Sequence, residues 1–364
     1  MATPPRAAAA GDAIVTTDRF VPHISTVPAN AGQAVGLHLR EKSLAAPGRR
    51  PVALFVHGAF LPSAVAFDLD HADYSCLAAA ARAGFDAFAM TLTGYGASPR
   101  PMMDDPCNVD PAQQGLVIPH ALAAPCAPRY PFQLVTSRTE WDEIGTIVRF
   151  IRNLRGVERV SLVGWSAGCP RAGGYAALHP EHVERLVLFA PTPFLADDDP
   201  PAALPAPGAP ISIQSKSDLL GKRWGSDVRC DGQVDDAAVP EIVWREVLRE
   251  DPLGARWRPE GVMRAPTRTN FGWRRHAAAI RAPTLMLVGE FDNYEGRRDA
   301  WNALRAEQRV FIRVACASHF MQFERGRHVL HRATIEWLAT GAIDGATRTE
   351  LQADEEGKLT TLRA

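Results

Sequence analysis

Gly164-Trp165-Ser166-Ala167-Gly168 is the stretch around which the rest of the chain is organised. The apolar residues at 160, 162 and 163 predict a buried strand before it, and the small residues over 167–178 predict a helix after it. Glycine on either side of the serine lets the backbone turn sharply between these two elements. A serine at such a turn presents its hydroxyl clear of the sheet, so Ser166 is predicted to be a nucleophile.

Strand-length apolar runs alternate with helical patterns on both sides of this stretch. Short connections between them predict parallel strands with right-handed crossovers, and therefore a doubly wound, mostly parallel α/β sheet. Residues 14–27 and 34–44 predict a pair of edge strands joined as a hairpin. The remaining predicted strands are 51–57, 86–92, 160–163, 186–189, 284–288 and 310–314, and the predicted helices are 75–83, 141–154, 167–178 and 326–340.

Four segments interrupt the alternation and set the predicted domain boundaries. Residues 13–190 and 284–340 form the predicted core. A proline-rich insertion at 99–136 has a length typical of functional loops. Residues 191–283 carry scattered aromatic side chains and are predicted to form a helical cap between two late core strands. Residues 1–12 are predicted to be disordered, and 341–364 to be a polar tail without a core signal.

Composition excludes several classes of partner. The 364 residues are 46% hydrophobic with a formal net charge of -1, which gives no electrostatic case for nucleic acid or an anionic membrane. Residues 1–13 lack the apolar core of a secretory signal, and no run is long enough to span a bilayer. We therefore expect a cytoplasmic protein that acts on a small molecule, with a homodimer left open.

The six cysteines include no CxxC pair, as is usual for a cytosolic protein. Cys107 and Cys126 share the proline-rich insertion, where a disulfide would brace it. Free thiols are the favoured prediction in a cytosolic setting.

From about residue 51 to 338 the chain resembles the α/β-hydrolases. Five segments carry the resemblance, each at the end of a predicted strand: HGAF at 57–60, GYGAS at 94–98, GWSAG at 164–168, GEFD at 289–292 and ASHF at 317–320. Their order, nucleophile then acid then histidine, is the one this family uses. The resemblance implies an α/β-hydrolase fold with a cap and a serine-based catalytic site.

The resemblance identifies His319 as the base, because it follows the last core strand by a short loop. A serine hydroxyl is a weak nucleophile until such a base accepts its proton. His57 is a less favoured base, since the histidine of an HG loop supports the conformation of that loop.

Asp292 is the predicted acid, which would hold the imidazole in one tautomer and stabilise its protonated form. Glu290 and Glu295 are close rivals in sequence. A less common arrangement places the acid after the preceding strand, which would select Asp197, Asp198 or Asp199. The spacing of GEFD favours Asp292.

Two backbone N–H groups are expected to bind the negative oxygen of a tetrahedral intermediate. Ala167 would supply one from the start of a helix, where the helix dipole helps. Ala59 would supply the second, with Phe60 as an alternative donor.

These residues predict a serine hydrolase that cleaves an ester, thioester or lactone through an acyl-enzyme on Ser166. Phe60, Trp165 and Phe194 would form a pocket for a small apolar or aromatic substrate. Cleavage of a C–C bond or acyl transfer (lyase or transferase chemistry) by the same triad is the alternative, and ligand binding without turnover is a third. A serine excludes the dehalogenase and epoxide hydrolase reactions that need an aspartate nucleophile in this fold.

No cofactor or metal is predicted. Gly94-Tyr95-Gly96 lacks the third glycine and the following helix of a nucleotide-binding loop. No group of histidine, cysteine and acidic residues has the sequence spacing of metal ligands.

Overall fold

The computed structural model of the protein describes residues 13–362, and of residues 294 and 295 it describes only the backbone. The predicted disordered segment 1–12 lies outside the described residues, as does the side chain of Glu295. The strands are β1 (Ile14–Ile24), β2 (Ala34–Leu44), β3 (Val52–Val56), β4 (Asp86–Met90), β5 (Val135–Thr136), β6 (Val160–Trp165), β7 (Val183–Phe189), β8 (Ile211–Gln214), β9 (Met263–Pro266), β10 (Arg268–Thr269), β11 (Thr284–Gly289), β12 (Arg309–Val314), β13 (Arg348–Ala353) and β14 (Leu359–Thr361). The α-helices are α1 (Ser63–Phe67), α2 (Cys76–Arg82), α3 (Ser137–Arg155), α4 (Gly168–Leu178), α5 (Val239–Glu250), α6 (Trp273–Ala279), α7 (Tyr294–Ala303) and α8 (Arg327–Thr340).

One ten-stranded sheet runs through the described part of the protein, in the order β1-β2-β4-β3-β6-β7-β11-β12-β13-β14. The seven central strands, from β4 to β13 in that order, are parallel to one another. Antiparallel strands close both edges. The predicted doubly wound, mostly parallel sheet is confirmed.

Strands β3, β4, β6 and β11 are buried along their whole length because helices cover both faces of the sheet. On β3 the side chains alternate between two buried clusters. Ala53 and Phe55 pack with α2 and α8 on one face. Val52, Leu54 and Val56 pack with α3 and α4 on the other. Among residues 13–362, no helix is both long enough and apolar enough to cross a membrane.

The cap is inserted between β7 and β11, which are neighbours in the sheet. It contains the helices α5 and α6 and the antiparallel pair β8 and β9. The proline-rich insertion packs against the cap through a third apolar cluster, which includes Val109, Leu134, Ile211 and Trp257. Cap and insertion therefore share one apolar core of their own.

The predicted polar tail is wrong for residues 348–361, which form β13 and β14. β13 extends the sheet in parallel beyond β12, from Arg348 opposite Arg309 to Ala353 opposite Val314. The pairing uses backbone hydrogen bonds, so it needs no apolar run in the sequence. The polar Glu350 accepts a hydrogen bond from Trp301 Nε1 at 2.8 Å and pairs with Arg298, both on α7.

The described residues include two disulfides. One lies within the proline-rich insertion, and the other joins the cap to the loop after β12. Cys107 is bonded to Cys126, so the prediction of free thiols there is wrong. Cys230 in the cap is bonded to Cys316, three residues before His319. Spacing along the chain carries no information about which cysteines meet in space. Disulfides persist mainly in oxidising compartments, so these bridges do not favour the cytoplasmic location predicted from the cysteine pattern.

Alkylation of the protein, purified and denatured without reductant, is expected to modify two cysteines, Cys76 and Cys169, which are the free ones. After reduction, all six cysteines of the chain should react. The mass of the intact alkylated protein measures both numbers. Modification of four or more cysteines before reduction would show that at least one bridge is absent.

Candidate active site

Ser166 lies in the sharp turn between β6 and α4, and its backbone φ is 54°. A positive φ is uncommon for a residue with a side chain, and residues with this backbone conformation cluster at active sites. The two flanking glycines are required by close approach of the backbone. A Cβ on Gly164 would lie 2.5 Å from the Gly168 carbonyl oxygen, and one on Gly168 would lie 2.1 Å from that of Val56.

His319 lies in the loop after β12, and its ring faces Ser166. The Ser166 Oγ is 2.9 Å from His319 Nε2. His319 Nδ1 lies 3.0 and 3.1 Å from the two carboxylate oxygens of Asp292. A carboxylate only accepts hydrogen bonds, so Nδ1 carries the proton and Nε2 is free to accept one from the serine. The structure therefore brings together the three side chains that the sequence predicted, in the orientation that a general base requires.

The carboxyl ends of parallel strands meet at one edge of the sheet, and this brings residues 166, 292 and 319 together. Asp292 follows β11, and β12 is the adjacent strand in the sheet. The loops after these two strands are in close contact. A Cβ on Gly289 would lie 2.5 Å from the Ala317 carbonyl oxygen, and Phe291 N donates to the same oxygen at 2.9 Å.

Arg297 also contacts the Asp292 carboxylate. Its Nη2 lies 2.6 Å from Asp292 Oδ1, and its Nε donates to the Asp292 backbone oxygen at 2.7 Å. This contact was missed at the sequence level. Arg297 follows Asp292 by five residues, and nothing in the GEFD pattern indicates it.

The rival acids are engaged elsewhere. Glu290 pairs with Arg313 at 2.9 Å and accepts from Cys316 N at 3.0 Å. Asp198 accepts from Arg275 N at 3.1 Å in the cap, and Asp199 lies 3.7 Å from the Arg275 guanidinium.

The imidazole is almost completely buried, and this burial lowers the pKa of His319 below its usual value. The negative charge of Asp292 opposes the decrease, while the positive charges of Arg297 and Arg223 add to it. His319 is therefore neutral at pH 7, which is the form that can accept a proton.

Glu324 anchors the loop that carries His319. It is fully buried and accepts hydrogen bonds from Ser318 N at 2.8 Å and from Trp224 Nε1 of the cap at 2.9 Å. Burial raises the pKa of Glu324, and the hydrogen bonds partly offset the increase. A buried acid connecting the cap to this loop had no signal in the sequence.

The loop after β3 approaches Ser166 closely. A Cβ on Gly58 would lie 2.9 Å from the Ser166 Cβ. Within residues 13–362, the backbone N–H groups of Ala59, Phe60 and Ala167 have no acceptor. Phe60 also has a positive φ of 71°. These amides are available to a bound oxyanion, and the choice of Ala59 and Ala167 as the pair of donors stays a prediction.

His57 supports this loop. Its Nδ1 donates to the Gly58 carbonyl oxygen at 2.7 Å, and its Nε2 accepts from Leu92 N at 3.1 Å. Burial and the nearby charge of Arg171 lower the pKa of His57 to about 3. Both ring nitrogens are occupied, so His57 is not available as a base.

Arg171 on α4 holds the same loop through hydrogen bonds to its backbone. Its Nη1 donates to the carbonyl oxygens of His57 at 2.8 Å and Gly58 at 2.9 Å, and its Nη2 pairs with Glu140 at 2.6 Å. Arg171 is 1% exposed. An arginine in an otherwise small and apolar helix was the available signal, and the sequence prediction did not use it.

Of the three predicted substrate-binding residues, Trp165 is buried, whereas Phe60 and Phe194 are partly exposed. Trp165 is 1% exposed, stacks on Phe189, and donates from Nε1 to the His319 carbonyl oxygen at 3.0 Å. Phe194 packs edge-on against Trp273 and lies under Arg274. The prediction is wrong for Trp165, because aromatic residues next to a motif pack in the core as readily as in a pocket. For Phe194 it stays a prediction. Phe60 is partly exposed and lies beneath the guanidinium of Arg223.

A cavity of about 390 Å³ opens beside His319. It is lined by the loop that holds Asp292, by Phe320, and by cap residues between 222 and 229. No residue of the proline-rich insertion lines this cavity. The insertion covers the cap instead.

His179, Glu181 and His182 are near enough for their ligand atoms to share one metal ion, with every pair within 4.8 Å. Sequence spacing did not indicate this group. It lies at the surface, after α4, and the Tyr175 hydroxyl already contacts His182 Nδ1 at 3.0 Å. The cluster is separate from the Ser166 site, and nothing else in its surroundings points to a metal.

The comparisons with known proteins agree with this architecture. A model of the alpha/beta hydrolase family matches residues 53–333 of the chain. The protein therefore belongs to the alpha/beta hydrolase family. A search of curated protein sequences found no significant match.

Solved structures with the same fold include several hydrolases. A serine hydrolase involved in carbazole degradation is 16% identical with a TM-score of 0.54, covering 89% of this chain and 99% of its own. A putative lipase from Sulfolobus solfataricus is 14% identical with a TM-score of 0.55, covering 90% and 95%. The 2-hydroxy-6-oxo-6-phenylhexa-2,4-dienoate hydrolase from Rhodococcus sp. strain RHA1 is 13% identical with a TM-score of 0.51, covering 90% and 99%. At these identities the similarity shows the fold alone.

Proposed function

We propose that the protein is a serine hydrolase that cleaves an ester, thioester or lactone through an acyl-enzyme on Ser166. The observation that carries the proposal is the unbroken chain of contacts from Ser166 Oγ through His319 to Asp292, at 2.9 and 3.0 Å. A structural serine in a core has no need of a histidine that is itself oriented by a buried carboxylate.

In the proposed reaction, Ser166 Oγ attacks the substrate carbonyl carbon while His319 Nε2 takes its proton. Backbone N–H groups at Ala59 and Ala167 bind the oxygen as it becomes negative. His319 then gives the proton to the leaving group, and the acyl-enzyme forms. A water molecule, deprotonated by the same nitrogen, releases the acid and restores the serine.

Labelling with a fluorophosphonate probe tests the proposal. The probe should modify the native protein at Ser166, because it reacts with serines activated by a neighbouring base. Ser166→Ala should remove the labelling, while Ser217→Ala, which alters an exposed serine, should leave it unchanged. Failure of the native protein to react, beside a serine esterase that does, would favour a protein that binds without turnover.

Cleavage of a C–C bond next to a carbonyl would use the same triad. Product analysis with an ester and a diketone of similar size separates the two reactions. The proposal requires that the ester be turned over faster, and a clear preference for the diketone would replace ester hydrolysis by C–C hydrolysis.

The pH dependence of kcat/KM should show a rise with its midpoint below pH 6.5. Neutral His319 is the active base, and a lowered pKa keeps it neutral at more acidic pH. Activity should thus be fully present at pH 7 and decrease as the pH falls through the lowered pKa. Initial rates at low substrate concentration across the acid range measure the midpoint, and a midpoint above 6.5 would contradict the effect of burial.

A further inference from the structure

The cavity beside His319 carries an excess of positive charge. Four basic side chains line it, Lys222, Arg223, Arg229 and Arg297, against two carboxylates, Asp227 and Asp292. With His319 neutral, the lining is therefore net cationic. This differs from the apolar pocket predicted from the aromatic residues, and it means that the cavity favours an anion.

Three of the four cations already have a carboxylate partner. The pairs are Lys222 with Asp218 at 2.7 Å, Arg229 with Asp227 at 3.3 Å and Arg297 with Asp292 at 2.6 Å. Arg223 differs from them. Within residues 13–362 it has no ion pair, and its hydrogen bonding consists of one contact from Nη1 to the Gln214 side chain at 3.3 Å.

Arg223 lines the same cavity as His319. Its guanidinium carbon is 5.8 Å from the centre of the Phe60 ring. Its charge contributes to lowering the pKa of His319, so it acts on the imidazole as well. The guanidinium therefore lies in the same cavity as the proposed base and beside the ring of Phe60.

Placing Arg223 there without a carboxylate partner costs free energy. The side chain is partly buried, and burial lowers the pKa of Arg223. Removing a cation from water is unfavourable unless an anion or several hydrogen bonds compensate for it. Arg223 is at the end of a π-helical segment, Ser217–Trp224, a backbone form that occurs frequently at functional sites.

We propose that Arg223 binds a carboxylate of the substrate, so that the protein hydrolyses esters or thioesters whose acyl part carries a second, negatively charged carboxyl group. The planar guanidinium presents its free donors in the geometry that a carboxylate accepts from. This inference rests on the proposed function, since it names the substrate class for the same serine.

The test compares two esters with acyl chains of equal length. 4-Nitrophenyl hydrogen glutarate has a terminal carboxylate, and 4-nitrophenyl pentanoate has none. We expect the native protein to prefer the glutarate ester in kcat/KM by about tenfold or more, as one charge-assisted contact allows. Assays at about pH 8 keep His319 neutral in every variant, so its titration does not affect the comparison.

Arg223→Gln should lower kcat/KM for the glutarate ester by about tenfold to a hundredfold and change that for the pentanoate ester less than about threefold. Arg249→Gln is the matched control, because it makes the same change at an exposed cap arginine that pairs with Glu246 and does not line the cavity. It should change both esters alike. Equal losses on both esters in Arg223→Gln, or no preference in the native protein, would overturn the assignment.

Protection of Ser166 gives a readout that does not depend on turnover of either ester. Free glutarate should slow fluorophosphonate labelling of the native protein and not that of Arg223→Gln. If the probe labels the native protein equally fast with and without glutarate, the proposed carboxylate site is rejected. The serine hydrolase proposal is then unaffected. Absence of labelling and of turnover would reject both.

Discussion

Ser166→Ala is expected to reduce kcat on the order of 10⁶-fold, because the attacking oxygen is removed and the remaining groups support only slow attack by water. The substitution removes one oxygen from a side chain that is 6% exposed, and it leaves both flanking glycines unchanged. The fold should therefore persist. Initial rates with a nitrophenyl ester, measured beside the thermal unfolding temperature, separate lost chemistry from lost structure.

Ser217→Ala is the control for this measurement, since it makes the same change at an exposed serine of the cap. Its activity should match that of the native protein. If Ser166→Ala kept more than a few per cent of the native rate while folding normally, a different nucleophile would have to be sought.

Asp292→Asn is expected to reduce kcat about 10⁴-fold. An amide in this place presents an N–H group to His319 Nδ1, so the ring no longer holds its proton on that nitrogen and Nε2 cannot act as the base. The same change weakens the contact with Arg297 at 2.6 Å, and it should cost about 1 to 3 kcal/mol of stability. Chemical denaturation and steady-state rates measure the two effects independently.

Asp199→Asn makes the same acid-to-amide change at an exposed cap residue that faces Arg275. It should alter neither rate nor stability appreciably. A small loss of activity in Asp292→Asn, with the fold intact, would indicate that another group orients the imidazole.

The sheet and the meeting of residues 166, 292 and 319 could be predicted because both depend on short-range patterns. Each of the three follows an apolar strand in a compact loop, and parallel strands place their carboxyl ends at one edge. The choice of Asp292 over Glu290 rested on spacing alone. The structure supports it through the separate contacts of Glu290 with Arg313 and Cys316.

The substrate side of the site could not be predicted in the same way. Trp165 lies next to the nucleophile in the sequence, but neighbouring residues on a strand point to opposite faces, and the packing places its ring in the core. Arg223 belongs to a cap segment without a motif. Its position beside His319 depends on how the cap folds back over the sheet.

The last strands and the disulfides escaped prediction for a related reason. β13 is held by backbone pairing and by the contacts of Glu350 with α7, so its sequence remains polar. The partners Cys230 and Cys316 are 86 residues apart, and a count of cysteines does not reveal such a pair.

The Cys230–Cys316 disulfide covalently links the cap to the loop that carries His319. The cap cannot move away from the site as one rigid body, because this bond holds it at a position three residues before His319. Small molecules must therefore enter and leave through movements of side chains, or of the cap segments that are farthest from this disulfide.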